Sequence, residues 1–147
     1  MPLDDLEQYG QVKAREIQER RQRQRIADEK ASVDDRLKTL WAPKIWQQVR
    51  EEIQLLLQSV NDALGEGVLE YDEPNSEVVV VKLLDRDSNL SAAFDPSVGK
   101  VILTLDDHRD TYTLEVVRGD VKLKAVGYFS PRQVAKMLVD KAASMVL

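Results

Sequence analysis

Apolar residues recur at helical spacing between Lys44 and Leu64. At 100° per residue, their side chains fall within an arc of about 120° on one side of a helix. Polar side chains fill most of the other side. The pattern predicts a helix that lies on a core, and Gly65, directly after it, suits a left-handed C-cap. The apolar stripe consists of Ile45, Trp46, Val49, Ile53, Leu56, Leu57, Val60, Ala63 and Leu64.

A shorter helix is predicted just upstream. Ser32 followed by Asp35 resembles a capping box, which marks a helix start. Pro43 lacks an amide N–H and its ring clashes with the preceding turn, so we expect a break or kink there. A straight helix would point the apolar residues of this segment away from the stripe, whereas a break would return them to the core. These residues are Leu37, Leu40 and Trp41.

The middle of the chain alternates between apolar and polar positions in short segments. Alternation with a period of two is typical of strands with one buried face, as at Leu90, Ala92 and Phe94. The connections are short and rich in Asp, Asn, Gly, Ser and Pro, so they permit hairpins and exclude parallel crossovers. The pattern predicts an antiparallel meander of about six strands, over residues 68–71, 78–84, 90–94, 101–105, 112–117 and 121–129.

A second strong helix signal lies at the C-terminal end. Ser130 at the N-cap, Pro131 at the first helical position and Gln133 together indicate a capped helix start. Lys141 falls within the buried arc, so we expect its stem to pack and its ammonium to reach solvent. The predicted fold is therefore α+β, with helices at both ends covering one face of the sheet. The predicted buried stripe of this helix is Val134, Met137, Leu138, Ala142 and Met145.

Residues 1–31 differ from the rest of the chain in composition. They contain seven acidic and seven basic side chains with few large apolar ones, so the net charge of -5 falls on the remainder. We interpret residues 1–31 as a charged appendage, either a helix or a flexible tail. Residues 32–147 are predicted to form a single α+β domain, a length that can bury a self-sufficient core.

Composition excludes several kinds of chemistry. The chain has no cysteine and one histidine, which removes thiolate metal sites, disulfides and cysteine nucleophiles. The glycines are dispersed and form no phosphate-binding loop. We expect no catalytic residue, no cofactor and no metal site. A signal peptide and a membrane span are not indicated, since the longest apolar run is interrupted by Lys82, and a cytoplasmic location is expected.

Two acidic turns bear on metal binding. The stretch from Asp85 to Asn89 matches the first five positions of a calcium loop, but Leu90 and Pro96 stand where glycine and glutamate are required. Asp106 to Asp110 surrounds His108, yet one histidine cannot build the usual zinc sites and Arg109 opposes a cation. Solvated hairpin turns are the better interpretation of both.

Two tripeptides resemble motifs of secreted proteins. Arg118-Gly119-Asp120 spells a cell-adhesion motif, and Asn89-Leu90-Ser91 a glycosylation acceptor. Neither is accompanied by a secretion signal. We expect the first to form a tight hairpin in which Gly119 adopts a positive φ.

The face of the sheet opposite the core is predicted to be partly apolar. Val78 to Val81 offers valines to both faces, and Ile102, Val126 and Tyr128 lie out of phase with the core positions. Such a face is typical of a surface for a protein partner or a second copy, although scattered surface aliphatics are also normal. A register slip of one residue would reverse the assignment. The polar residues expected on this face are Lys82, Lys122, Lys124, Thr104, Thr113 and Glu115.

The arginines at 20, 21, 23 and 25 raise a separate possibility. On a helix they spread over roughly half the circumference, which suits a phosphate-tracking surface. Acidic side chains at helical spacing balance much of this positive charge, and no aromatic side chain lies among the arginines to stack on bases. A solvated charged helix, of the kind also found in coiled coils, is therefore favoured. The expected acid–base pairs are Glu16 with Arg20, Glu19 with Arg23 and Arg25 with Glu29.

These patterns predict a non-enzymatic domain that binds a protein partner or itself. Nucleic-acid binding through Arg20 to Arg25 is the first alternative. Binding of a small ligand in a cleft between the sheet and the helices is the second.

Overall fold

The computed structural model describes residues 3–147, with side chains described from residue 5 onwards. Seven strands form one antiparallel sheet whose strand order follows the sequence, and the helices lie at the two ends of the chain. The fold is α+β with a meander sheet, as predicted. The elements are α1 (Leu3–Leu64), β1 (Leu69–Asn75), β2 (Val78–Leu83), β3 (Leu90–Asp95), β4 (Lys100–Leu105), β5 (His108–Val117), β6 (Asp120–Lys124), β7 (Tyr128–Phe129) and α2 (Pro131–Met145).

α1 is one helix of 62 residues that runs through Pro43. The separate helix start at Ser32, which was predicted from the sequence, is therefore wrong. A break or kink was predicted at Pro43, and the break does not occur. A proline inside a helix costs about 3 kcal/mol, and the burial of Ala42, Ile45 and Trp46 on either side of it offsets this cost. Because the helix continues, Leu40 and Trp41 are not returned to the core and remain 58% and 41% exposed.

The buried stripe of α1 follows the predicted positions and ends earlier. Ile45, Trp46, Val49, Ile53 and Leu57 are buried, with Leu56 and Val60 partly buried beside them. Ala63 and Leu64 were predicted to belong to the buried stripe, but both are exposed.

The end of α1 is closed by a Schellman motif. Gly65 adopts a φ of +72° and donates its N–H to the Asp62 carbonyl at 3.2 Å. The Glu66 N–H donates to the Asn61 carbonyl at 3.2 Å. The left-handed C-cap predicted at Gly65 is thus confirmed.

The sheet has seven strands because the last predicted strand divides in two. β6 ends at Lys124, and the Ala125 N–H donates to the Gly127 carbonyl at 2.9 Å in a tight turn before β7. Val126 lies in this turn, fully exposed, and not on a strand as predicted. The turn between β5 and β6 has the predicted conformation, with Gly119 at a φ of +82°.

One hydrophobic core joins the two helices to the same face of the sheet. The ring of Trp46 stacks on Phe94 with centroids 5.7 Å apart, and its indole N–H donates to the Ser76 carbonyl at 2.7 Å. Tyr112 meets Phe129 edge to face at 5.3 Å. The buried positions of β2, β3 and β4 alternate strictly, as expected for a sheet with a single core face.

α2 begins with the predicted capping box. The Gln133 N–H donates to the Ser130 hydroxyl at 3.1 Å, and the Ser130 N–H donates to the Gln133 amide oxygen at 2.8 Å. Its buried residues are Val134, Ala135, Leu138, Val139 and Ala142. Met137, which was predicted to be buried, is 40% exposed because the stripe is rotated toward Ala135 and Val139.

The described residues fall into two compact units that divide between Arg36 and Leu37. In the first unit, the described side chains are exposed to solvent apart from Asp34, which is partly exposed. The second unit contains every residue of the hydrophobic core. Over residues 3–147, neither helix combines the length and the apolarity needed to cross a membrane.

Candidate functional site

The two acidic turns are held by basic side chains. In the turn that follows β2, the guanidinium of Arg86 donates to the backbone carbonyl of Met145, at the end of α2. In the turn between β4 and β5, Nδ1 of His108 lies 3.0 Å from Asp107 Oδ1, and Nζ of Lys141 lies 3.6 Å from the same oxygen. The hydrogen bond with His108, assisted by the charge of Lys141, lowers the pKa of Asp107. Within the described part of the chain, no three His, Asp or Glu side chains are placed to hold a metal ion together.

The arginine segment lies on the exposed surface of α1. Arg23 donates to the backbone carbonyl of Glu19 at 3.4 Å, and Arg25 donates to the side chain of Gln22 at 3.0 Å. Glu16 pairs with Lys13 at 3.3 Å and not with Arg20. The acid–arginine pairs predicted from the spacing are thus replaced by other contacts, because several rotamers of long side chains compete on an exposed helix.

The outer face of the sheet carries the apolar residues predicted from the sequence except Val126, which lies in the turn before β7. Cross-strand pairs place Val80 beside Ser91, Val78 beside Ala93, and Ala93 beside Ile102. All four apolar residues of this group are partly exposed. We call Val78, Val80, Ala93 and Ile102 the outer apolar strip. Both helices pack on the opposite face, so within residues 37–147 no helix covers this strip.

Charged side chains surround the outer apolar strip in an uneven way. β1 contributes Glu70 and Asp72 at one edge of the sheet, whereas β6 contributes Lys122 and Lys124 near the other. Asp72 lies 3.3 Å from Nζ of Lys82. The first edge thus carries two carboxylates and Lys82, and the second carries two lysines and Glu115, so the first is net acidic and the second net basic.

Tyr128 organises the basic edge. Its hydroxyl donates to the Glu115 carboxylate at 3.1 Å, and the ammonium groups of Lys122 and Lys124 lie 5.9 and 5.7 Å from its ring centroid. Lys124 Nζ also lies 3.2 Å from Glu115 Oε2, and this contact is the main reason that the pKa of Glu115 is lowered. All six polar side chains that were predicted for the outer face lie on it: Lys82, Thr104, Thr113, Glu115, Lys122 and Lys124.

A second surface is a groove of about 610 Å³ between α1 and the edge strand β1. The sequence led us to consider a cleft between the sheet and the helices, but it indicated neither the position nor the lining of this groove. Sequence patterns do not report how far a helix stands from a strand. The first and last strands of a meander are nevertheless always its edges, so the exposed edge at β1 could have been found from the predicted topology. The groove is lined by Glu51, Gln54, Leu55, Leu57, Gln58, Asn61, Asp62, Leu69 and Tyr71.

Comparison with known proteins identifies no relative: no family model matches the chain, and neither a curated protein nor a solved structure matches it.

Proposed function

We propose that this protein is a non-enzymatic interaction domain that associates with a second copy of itself through the outer face of its sheet. The observation that supports this most directly is the outer apolar strip. It lies on β2, β3 and β4, and within residues 37–147 neither helix packs over it. Exposed apolar patches that are rimmed by polar side chains commonly mark protein interaction sites.

The size of the face fits a stable dimer. Seven strands spaced roughly 4.8 Å apart and about six residues long give a footprint of roughly 600 Å². Specific interfaces bury roughly 600–1,000 Å² on each partner. A face-to-face contact that uses the whole sheet would therefore reach the lower end of that range.

The charges of the face are also self-complementary. A two-fold axis parallel to the strands places β1 of one copy over β6 and β7 of the other. In that arrangement Glu70 and Asp72 face Lys122 and Lys124 of the second copy. Opposite charges across an interface favour the correct orientation and penalise the reverse one.

Sedimentation equilibrium of the full chain tests the proposal with the substitution Ile102→Glu. Ile102 lies on β4, the middle strand of the sheet. A carboxylate there would be desolvated on association, so we expect the dimer to dissociate at least about tenfold more readily. Met137→Glu is the matched control, because Met137 is an exposed apolar residue on α2. A wild-type chain that stays monomeric at all concentrations would reject the proposal. So would an Ile102→Glu variant that associates like the wild type.

A further inference from the structure

The outer edge of β1 is only partly occupied. The Leu84 N–H donates to the Val68 carbonyl at 3.2 Å, so alternation directs the peptide groups of Leu69 and Tyr71 away from β2. At Leu69, the side chain of Asn61 takes the place of a neighbouring strand: its Nδ2 donates to the Leu69 carbonyl at 2.9 Å, and its Oδ1 accepts the Leu69 N–H at 3.2 Å. The peptide group of Tyr71 is the next one that faces outward.

The groove beside this edge has an apolar floor and a polar rim. Leu57 and Leu69 form the floor and are buried, whereas Gln54 and Gln58 stand on the rim with exposed side chains. An extended peptide that pairs with a sheet edge directs alternate side chains to opposite sides. One side chain in two would therefore meet the apolar floor.

The charge of the groove is negative. Glu51 and Asp62 line it, and none of the residues that line it is basic. The nearby Arg50 is already engaged: its Nη1 lies 3.8 Å from Glu73 Oε1, and its Nη2 donates to the side chain of Gln47. A basic partner would thus find two carboxylates without a competing cation in the lining.

We propose that this groove binds an extended basic segment of another protein, which adds to the sheet beside β1. The segment pairs with the outward peptide group of Tyr71, places an apolar side chain on Leu57 and Leu69, and directs lysines or arginines to Glu51 and Asp62. The site is separate from the outer face of the sheet, so it extends the interaction function to a second class of partner and does not depend on self-association.

The test measures binding of a fluorescently labelled peptide, KVKVRVK, to the full chain by fluorescence anisotropy. We expect saturable binding that weakens about tenfold when Glu51→Lys and Asp62→Lys are combined. The control combines Asp87→Lys with Asp140→Lys, two exposed carboxylates that lie outside the groove. Both variants change the net charge equally, so only a local effect of the groove separates them.

A second pair of probes separates strand addition from simple charge attraction. The peptide KVKPRVK keeps all four basic residues but lacks one backbone N–H, so it is expected to bind several-fold more weakly. In amide NMR spectra, KVKVRVK is expected to shift the resonances of 69–73 and of the facing residues 54–62. If the double variant fails to fold, Asp62→Lys alone serves as the test, because a cation is favourable in the last turn of a helix.

Several results would overturn the proposal. These are the absence of saturable binding of KVKVRVK, an equal loss of binding in the groove variant and in its control, equal affinity for the proline peptide, and shifts confined to residues away from β1.

Discussion

At the scale of single residues, Asn61 connects the end of α1 to the start of β1. Besides its two bonds to Leu69, its Oδ1 accepts the Val68 N–H at 3.0 Å. Three backbone groups of the edge strand are thus satisfied by one side chain. This explains how a link of only four residues can join the helix to the strand without leaving these polar groups unpaired at the junction.

Replacing Asn61 by alanine should therefore destabilise the domain. We expect Asn61→Ala to lower the free energy of unfolding by about 1–3 kcal/mol, because partly buried N–H and C=O groups lose their partner. Urea denaturation followed by circular dichroism measures the change. Gln58→Ala, on the exposed side of the same helix, is the control and should change stability by less than about 0.5 kcal/mol. Equal effects of the two substitutions would contradict the role given to Asn61.

Contacts of single residues were predictable from the sequence where both partners are close along the chain. The pair of bonds between Ser130 and Gln133 follows from their spacing of three and was predicted correctly. The role of Asn61 was not predicted, because its partners depend on where β1 lies against the helix. On the sequence alone, Asn61 belongs only to the polar side of an amphipathic helix.

At the scale of elements, α1 shows how burial can override a local signal. Pro43 marks a helix boundary by its own chemistry, yet the helix continues through it. The residues that hold the two sides together are Ala42 and Ile45, which flank the proline and are buried in the same core. A local rule failed here because the decisive contacts are tertiary ones.

Pro43→Ala should consequently stabilise the protein. Alanine restores the backbone N–H and removes the ring clash, so we expect the free energy of unfolding to rise by about 1–3 kcal/mol. This is partly offset by the greater freedom of the unfolded chain. Thermal unfolding monitored by circular dichroism measures the effect, with Gln48→Ala as the control at another exposed position of α1. A loss of stability in Pro43→Ala would show that the proline is needed for the helix geometry.

The sheet was predictable in outline because its pattern is local. Alternation located the core face of β2, β3 and β4, and short connections established the meander. The division between β6 and β7 was missed. Val126 fits the alternating pattern of a strand in the sequence, although it lies in a turn in the structure. Periodicity reports which residues could alternate but not where the backbone turns.

At the scale of the whole molecule, burial is concentrated in the second unit. Among the residues whose side chains are described, the buried ones all lie between Ala42 and Ala142, and both helices contribute to this core. The surfaces of the same unit that bear on its proposed interactions are the outer face of the sheet and the groove beside β1. The outer face was predicted from the sequence as a partly apolar surface, whereas the lining of the groove could not be predicted, because it depends on where α1 packs against β1.

Removal of residues 1–31 should leave folding and self-association largely intact. The truncated chain, residues 32–147, keeps every core residue and the complete outer face. We expect its melting temperature to stay within a few degrees of that of the full chain, because surface changes alter stability by about 0.5 kcal/mol or less. Its dimer dissociation constant in sedimentation equilibrium should stay within about threefold.

The contrasting variant is a chain that ends at residue 130 and so lacks α2. It loses Val134, Leu138 and Ala142 from the core, and we expect it to lose cooperative unfolding.

The arginine segment is tested with the full chain and with residues 32–147 by retardation of a DNA duplex at low salt. Retardation by the full chain but not by residues 32–147 would assign nucleic-acid binding to Arg20 to Arg25. A truncated chain that unfolds, or that no longer self-associates, would instead show that the first helical segment supports the domain through contacts beyond its core.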